Sequence, residues 1–178
     1  MSNMFVETKF NPTLEQQKFI DFVLSPSSPW NLVDQVVPEG KKNHSLAVMP
    51  IMLKRGGPVL GEIASDHYYE AKDIFDTICE QNGIKYKTLY RMSFNTSYHY
   101  EDKHGDIHKD HPFQHNNFVM YINEFSNGST YLFDDDMNLT REVKAEKNKA
   151  IFFDGCNHAY GFCNFYEKRV VMVATFGD

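Results

Sequence analysis

The sequence predicts an α+β fold that is mainly β, with helices gathered toward the N-terminus and a sheet sandwich or barrel built from the rest. Three observations lead there. The chain has 178 residues, enough for one ordinary domain with one core. Apolar spacing is helical up to about residue 85, and beyond it short strand-like runs alternate with turn residues. Aromatic side chains make up 15% of the chain, a richness that suits packed strand faces better than a helical bundle. The division is therefore one domain over 1–178, with helical support over about 1–85 and a β core over about 86–178.

The first helix is expected over 13–24, where Leu14, Phe19, Phe22 and Val23 fall near one stripe. Asn11-Pro12 marks its start, and Ser25-Pro26-Ser27-Ser28-Pro29 ends it. Between the helices lie a strand over Ser45–Leu53 and a turn at Gly56-Gly57-Pro58. The second helix is expected over 66–82, with Asp66 as N-cap, Ile74, Phe75 and Ile78 on the buried stripe, and Gly83 as the stop. Strands follow at Thr88–Tyr98, Phe118–Phe125, Ser129–Phe133, Arg141–Ala145, Ala150–Asp154, His158–Phe162 and Arg169–Phe176. Ser126-Asn127-Gly128 fits a tight hairpin, and Asp134-Asp135-Asp136 fits a polar loop.

Charge narrows the classes of partner. Lys and Arg number 18 against 24 Asp and Glu, a formal net charge of -6, and cations cluster only in pairs such as Lys41-Lys42 and Lys54-Arg55. Phosphate-backbone binding needs more than that, so no nucleic-acid partner is expected. Cys79, Cys156 and Cys163 form neither a disulfide framework nor a zinc-knuckle spacing. With no basic-then-apolar start and no membrane-length apolar run, the sequence reads as a soluble cytoplasmic protein without a membrane partner. Oligomeric state is not encoded legibly.

The chemistry concentrates in residues 99–115, which carry His99, His104, His108, His111 and His115. His108-Lys109-Asp110 puts an imidazole and a carboxylate at i and i+2, the same face of a strand, where both can converge on one metal. His104-Gly105-Asp106 offers the same spacing. A third ligand, His158, lies just beyond the apolar run ending at Phe153-Asp154, and Arg169 opens the apolar strand after it. Two histidines and one carboxylate leave open coordination positions and suit non-haem Fe(II) oxygenases, and an arginine supplies a planar cation for a carboxylate.

Taken together, His108-x-Asp110, His158 and Arg169 resemble the Fe(II)- and 2-oxoglutarate-dependent dioxygenases, in particular their short prolyl-hydroxylase-like members. The likeness spans about residues 88–176 and includes Phe118–Asn123, which resembles the family's apolar strand ending in Tyr-Leu-Asn. It implies a double-stranded β-helix, a jelly-roll or cupin-like core with supporting N-terminal helices. His108, Asp110 and His158 would hold Fe(II), and Arg169 would pair with the distal carboxylate of 2-oxoglutarate. Tyr121 would add a hydrogen bond there, and Tyr98 matches a tyrosine that lines the pocket. O2 would be the second cosubstrate, with ascorbate as an auxiliary reductant. Under this resemblance His108 and Asp110 are favoured over His104 and Asp106, because Tyr98 and the apolar strand then fall where related short enzymes place them, and His111-Pro112 breaks the chain after the ligands. His99, His111 and His115 are expected at the pocket rim or surface.

The activity implied is oxidative decarboxylation of 2-oxoglutarate to succinate and CO2, coupled to hydroxylation of an unactivated C–H bond in a small molecule or a protein side chain. Asp110 stands where a halogenase would carry Ala or Gly, so hydroxylation is favoured. Phe152, Phe153 and Val171 are expected to keep the site dry. Asn127-Gly128-Ser129-Thr130 replaces the Gly-Gly that often follows the Tyr-Leu-Asn strand and changes a pocket wall. Thr175 occupies the place of the second arginine of the nucleic-acid demethylase branch. Two other classes fit parts of the pattern: a hydrolytic zinc site, which uses the same ligand types, and a non-catalytic jelly-roll binding module.

Overall fold

The computed structural model describes residues 4–33, 46–100 and 102–177. Its elements run β1 (Phe5–Lys9), α1 (Leu14–Leu24), β2 (Asn31–Val33), β3 (Leu46–Leu53), β4 (Glu62–Ile63), α2 (Tyr68–Gln81), β5 (Thr88–Tyr98), β6 (Asn116–Tyr121), β7 (Thr130–Phe133), β8 (Leu139–Val143), β9 (Lys149–Asp154), β10 (Asn157–Tyr160) and β11 (Lys168–Gly177). The expected start of the third strand at Ser45 and the Lys41-Lys42 pair lie outside the described residues.

Both helices form where the apolar spacing puts them, but their ends are made differently. Thr13 caps α1 through a capping box with Gln16, satisfying two amides that the first turn leaves unpaired. Leu14, expected on the buried stripe, is 72% exposed, and Ile20 packs inside with Phe19 and Val23. Asp66 is not the cap of α2: His67 holds that position and makes no side-chain capping bond. The other end behaves as expected. Gly83 takes φ 65°, so its own amide reaches Glu80 and the Ile84 amide reaches Cys79, which closes the last carbonyls of the helix.

The strands assemble into two antiparallel sheets. The larger has eight strands in the order β1-β9-β6-β11-β5-β3-β2, with β4 on β3; the smaller runs β10-β7-β8. The fold is a mainly β, jelly-roll-like sandwich. Before residue 85 the strand expected over Ser45–Leu53 appears as β3, and three strands not foreseen, β1, β2 and β4, join the same sheet, β1 as its edge on β9. The Asn127-Gly128 turn has the expected left-handed backbone, φ 63° and 66°, but it is not a hairpin. The β6 and β7 strands on either side of it belong to different sheets, so the turn carries the chain across the sandwich.

Side-chain alternation then builds two apolar layers. On the outer face of the large sheet, Phe94, Phe118, Phe152, Met172 and Phe176 pack under the helices with Phe19, Ile20 and Phe75. Between the sheets, Val119, Tyr121, Leu132, Ile151, Phe153 and Val171 form a second cluster. Val171, Val173 and Thr175 of β11 face the cavity between the sheets and their parity excludes Phe176, just as Phe152 turns toward the helices and leaves Phe153 to line the cavity.

Candidate metal centre and its pocket

One cavity of about 480 Å³ opens between the sheets and takes in His108, Asp110, His158 and Arg169. His108 and His158 face each other through an antiparallel backbone pair, His108 N–H to His158 O at 3.0 Å and His158 N–H to His108 O at 2.9 Å. That pairing sets the imidazole centroids 4.6 Å apart. His108 forms an isolated bridge rather than part of a strand, and the bend that follows brings Asp110 Oδ2 to 3.4 Å from His158 Nε2. One ligand atom from each of the three lies within 4.8 Å of the others.

Hydrogen bonding prepares these atoms to bind a cation. The His108 Nδ1 lies 2.9 Å from the Asp106 carbonyl, and the His158 Nδ1 lies 3.1 Å from the Cys156 carbonyl. A carbonyl only accepts, so each Nδ1 carries the hydrogen and each Nε2 presents a lone pair. Burial holds His158 at about 4, partly opposed by Asp110, so the ring is neutral at neutral pH. Burial alone would raise the Asp110 carboxyl, but His158, Arg91 and His108 outweigh it and hold it at about 2. Two imidazoles whose Nε2 atoms face an anionic carboxylate, with His108 exposed on the open side, fit a divalent transition metal.

The other His-x-Asp pair does not converge. His104 packs its ring against Tyr131 and Phe133, while the Asp106 carboxylate lines the cavity with Oδ2 unpartnered. His111 and His115 are buried rather than at the rim, packed together beneath Asp110, with His111 Nε2 2.8 Å from Thr175 Oγ1. Burial, reinforced by His115, lowers His111 to about 4. His99, by contrast with His111 and His115, is exposed, beside Phe165.

Arg169 enters from β11 and is 4% exposed. Its Nε donates to the Gly128 carbonyl at 3.0 Å and its Nη2 to Thr130 Oγ1 at 3.3 Å. The Asn127–Thr130 segment that departs from the Gly-Gly pattern is thus the segment that fixes the guanidinium. Burial pushes its pKa downward, and among the described residues no carboxylate forms an ion pair with it. Tyr121 is fully buried behind it. The ring centroid is 5.6 Å from the guanidinium carbon, and the hydroxyl donates to Thr130 Oγ1 at 2.8 Å. Tyr98 is not in the cavity. On β5 it is Arg91, Asn95 and Ser97 that line the wall, so Tyr98 has the wrong parity; it is 50% exposed and borders a shallow hollow with His99 and Phe165.

Several cavity residues carry no motif and escape sequence reasoning. Arg91 donates to Asp110 Oδ1 at 3.1 Å. Ser97 stands opposite Arg169 across the β5–β11 ladder with its hydroxyl buried and unpartnered. Asn117, Tyr160 and Lys54 complete much of the polar wall. The signal available for them was parity: Arg169, Val171, Val173 and Thr175 share a face, as do Arg91, Ser93, Asn95 and Ser97.

No family model matches the chain, and no curated protein does. Solved structures do match. An oxidoreductase of the 2OG-Fe(II) oxygenase family from Burkholderia pseudomallei aligns with TM-score 0.72 at 15% identity, over 97% of this chain and 84% of that one. A Pseudomonas putida prolyl-4-hydroxylase aligns with TM-score 0.60 at 13% identity, over 99% of this chain and 93% of that one. A Trichoplax adhaerens prolyl hydroxylase, solved with a hypoxia inducible factor peptide fragment, aligns with TM-score 0.66 at 10% identity, over 99% and 84%. The fold of this chain is the one those oxygenases share.

Proposed function

We propose that this chain, built on the fold of the 2OG-Fe(II) oxygenases, is itself a non-haem Fe(II)- and 2-oxoglutarate-dependent dioxygenase that hydroxylates an unactivated C–H bond. The observation that carries the reading is Arg169. A guanidinium buried without a counter-anion is costly, and it shares one cavity with a two-histidine, one-carboxylate ligand set. A dianionic cosubstrate that reaches from the metal to Arg169 satisfies both.

His108, Asp110 and His158 would hold the iron. Bound there, Fe(II) supplies activation of O2 coupled to decarboxylation of 2-oxoglutarate to succinate and CO2. The remaining work falls to the protein. Arg169 grips the distal carboxylate with the donors that Gly128 and Thr130 leave free, a planar fork that a lysine cannot reproduce. Ser97 adds a hydroxyl from the facing strand. Tyr121 acts through Thr130, orienting the hydroxyl beside the guanidinium. Phe153, Val171 and Val173 line the wall with apolar surface and limit water. Arg91 keeps the Asp110 carboxylate ionised and aimed.

The prime substrate is proposed to be a small molecule or a protein side chain, with ascorbate serving to keep the iron reduced. The whole span 1–178 would act as one catalytic unit, helices bracing the sheet that carries Arg169. No helix among the described residues is long and apolar enough to cross a membrane, and the three cysteines are free, which fits a reducing cytoplasm. Succinate measured by NMR after incubation with 2-oxoglutarate under air, with and without Fe(II), tests the reading. Iron-dependent succinate is expected even without prime substrate; metal binding with no 2-oxoglutarate binding and no succinate would replace it with a hydrolytic or non-catalytic site.

A further inference from the structure

The ladder pairs of the large sheet set four inward-facing residues side by side beneath the metal ligands. Asn117 of β6 lies opposite Thr175 of β11 and Phe153 of β9, and Thr175 lies opposite Arg91 of β5. Three of the four are engaged with the site. Arg91 holds Asp110, Thr175 holds His111, and the Phe153 ring packs 5.3 Å from that of His158. Asn117 is not engaged. It is 2% exposed, it lines the cavity, and neither its Nδ2 nor its Oδ1 has a hydrogen-bond partner.

A buried carboxamide with both ends unmet is destabilising, and most buried polar groups in folded chains are paired. Its place in the cavity says what it is not for. Arg169 pairs with Ser97 at one end of the β5–β11 ladder, and Thr175 pairs with Arg91 toward the other. Asn117 therefore stands with the metal ligands, at the end away from the cation assigned to the cosubstrate. A side chain that presents one donor and one acceptor together is matched by another amide, which offers the same two functions in reverse. Lys54 sits in the same cavity wall, exposed, and among the described residues it has no ion pair. An ammonium at the mouth favours a carboxylate.

We infer that the prime substrate is a small molecule carrying both an amide and a carboxylate, an N-acylated amino acid being the simplest case, with Asn117 reading the amide and Lys54 the acid. This inference rests on the oxygenase reading of the same cavity.

N-acetylglycine serves as the probe, with glycine and N-acetylglycine methyl ester as controls, on full-length protein loaded with Zn(II) and 2-oxoglutarate. The side-chain 15N amide signal of Asn117 should move with N-acetylglycine and stay still with glycine. The methyl ester should bind more weakly, and Lys54→Ala should erase that difference. Asn117→Leu should weaken N-acetylglycine by about tenfold, or one decade of affinity, while the 2-oxoglutarate dissociation constant changes by less than about twofold. Its melting temperature should hold or rise, because an unsatisfied buried amide is replaced by an apolar group of similar size. A fall in melting temperature with unchanged probe affinity would make Asn117 structural and overturn the inference. So would an equal loss of 2-oxoglutarate affinity, or an Asn117 signal indifferent to every probe. Protein that binds 2-oxoglutarate without amide dependence removes this inference alone; protein that binds no 2-oxoglutarate removes the oxygenase reading beneath it.

Discussion

Arg91 donates from Nη1 to Oδ1 of Asp110 across 3.1 Å, which leaves Oδ2 as the oxygen turned to His158. The carboxylate proposed to bind the metal is thereby aimed by β5. Groups that orient a metal ligand from behind are worth about 10–100-fold in affinity. Arg91→Met should therefore weaken Zn(II) or Fe(II) by at least about tenfold in a chelator competition, and Arg91→Lys should recover part of the loss.

The ligand register gives a second expectation. His108→Ala, Asp110→Ala and His158→Ala should each abolish tight metal binding, whereas His104→Ala should leave it intact, since the His104 ring is committed to Tyr131 and Phe133. Fe(II) titration of the four variants decides it. Binding lost in His104→Ala and kept in His108→Ala would move the centre to the other pair.

Ser97 should matter to the cosubstrate and not to the metal. One hydrogen bond to a charged carboxylate is worth about 1.5–3 kcal/mol, so Ser97→Ala should raise the 2-oxoglutarate dissociation constant by about tenfold or more. Calorimetry on the Zn(II)-loaded variant measures it.

Gly155 lies at the turn that leads into His158. A Cβ there would meet His115 Cε1 at 2.5 Å, and the His115 Nδ1 is already tied to the Phe113 carbonyl at 2.8 Å, so the buried ring has little room to retreat. Gly155→Ala should cost about 1–3 kcal/mol through overpacking. Thermal unfolding would show it, and His115→Ala in the same background should restore part of the stability.

How much of this was legible beforehand depended on what each feature required. Thr88–Tyr98 and Ala150–Asp154, the latter a continuous apolar run as far as Phe153, are each bounded by turn residues and appear as β5 and β9 almost to the residue. His108 and Asp110 were legible as candidate ligands because their spacing is local, and His158 as the third member that completes the set from a distant strand. The Phe5–Lys9 strand was not, since an edge strand of partly exposed residues has little apolar alternation to betray it. Tyr98, placed in the cavity through the resemblance, and Phe152, placed there as an apolar neighbour, both lie on the other face, since their parity was not weighed in placing them. Arg91 and Ser97 share a face that parity alone could have shown, whereas the place of Asn117 beside them needed cross-strand register, which the assembled sheet supplies.

The central claim is that Arg169 and the metal centre are two ends of one 2-oxoglutarate site. Removing a buried charge-assisted pair costs about 2–5 kcal/mol, so Arg169→Ala should raise the 2-oxoglutarate dissociation constant by at least about thirty-fold, with Arg169→Lys only partly better. Metal affinity without cosubstrate should change little, because Arg169 is not a ligand. Calorimetry of 2-oxoglutarate on Zn(II)-loaded wild type and both variants measures this directly. A large loss of cosubstrate affinity with the metal retained is the result expected; unchanged 2-oxoglutarate affinity in Arg169→Ala would contradict the account.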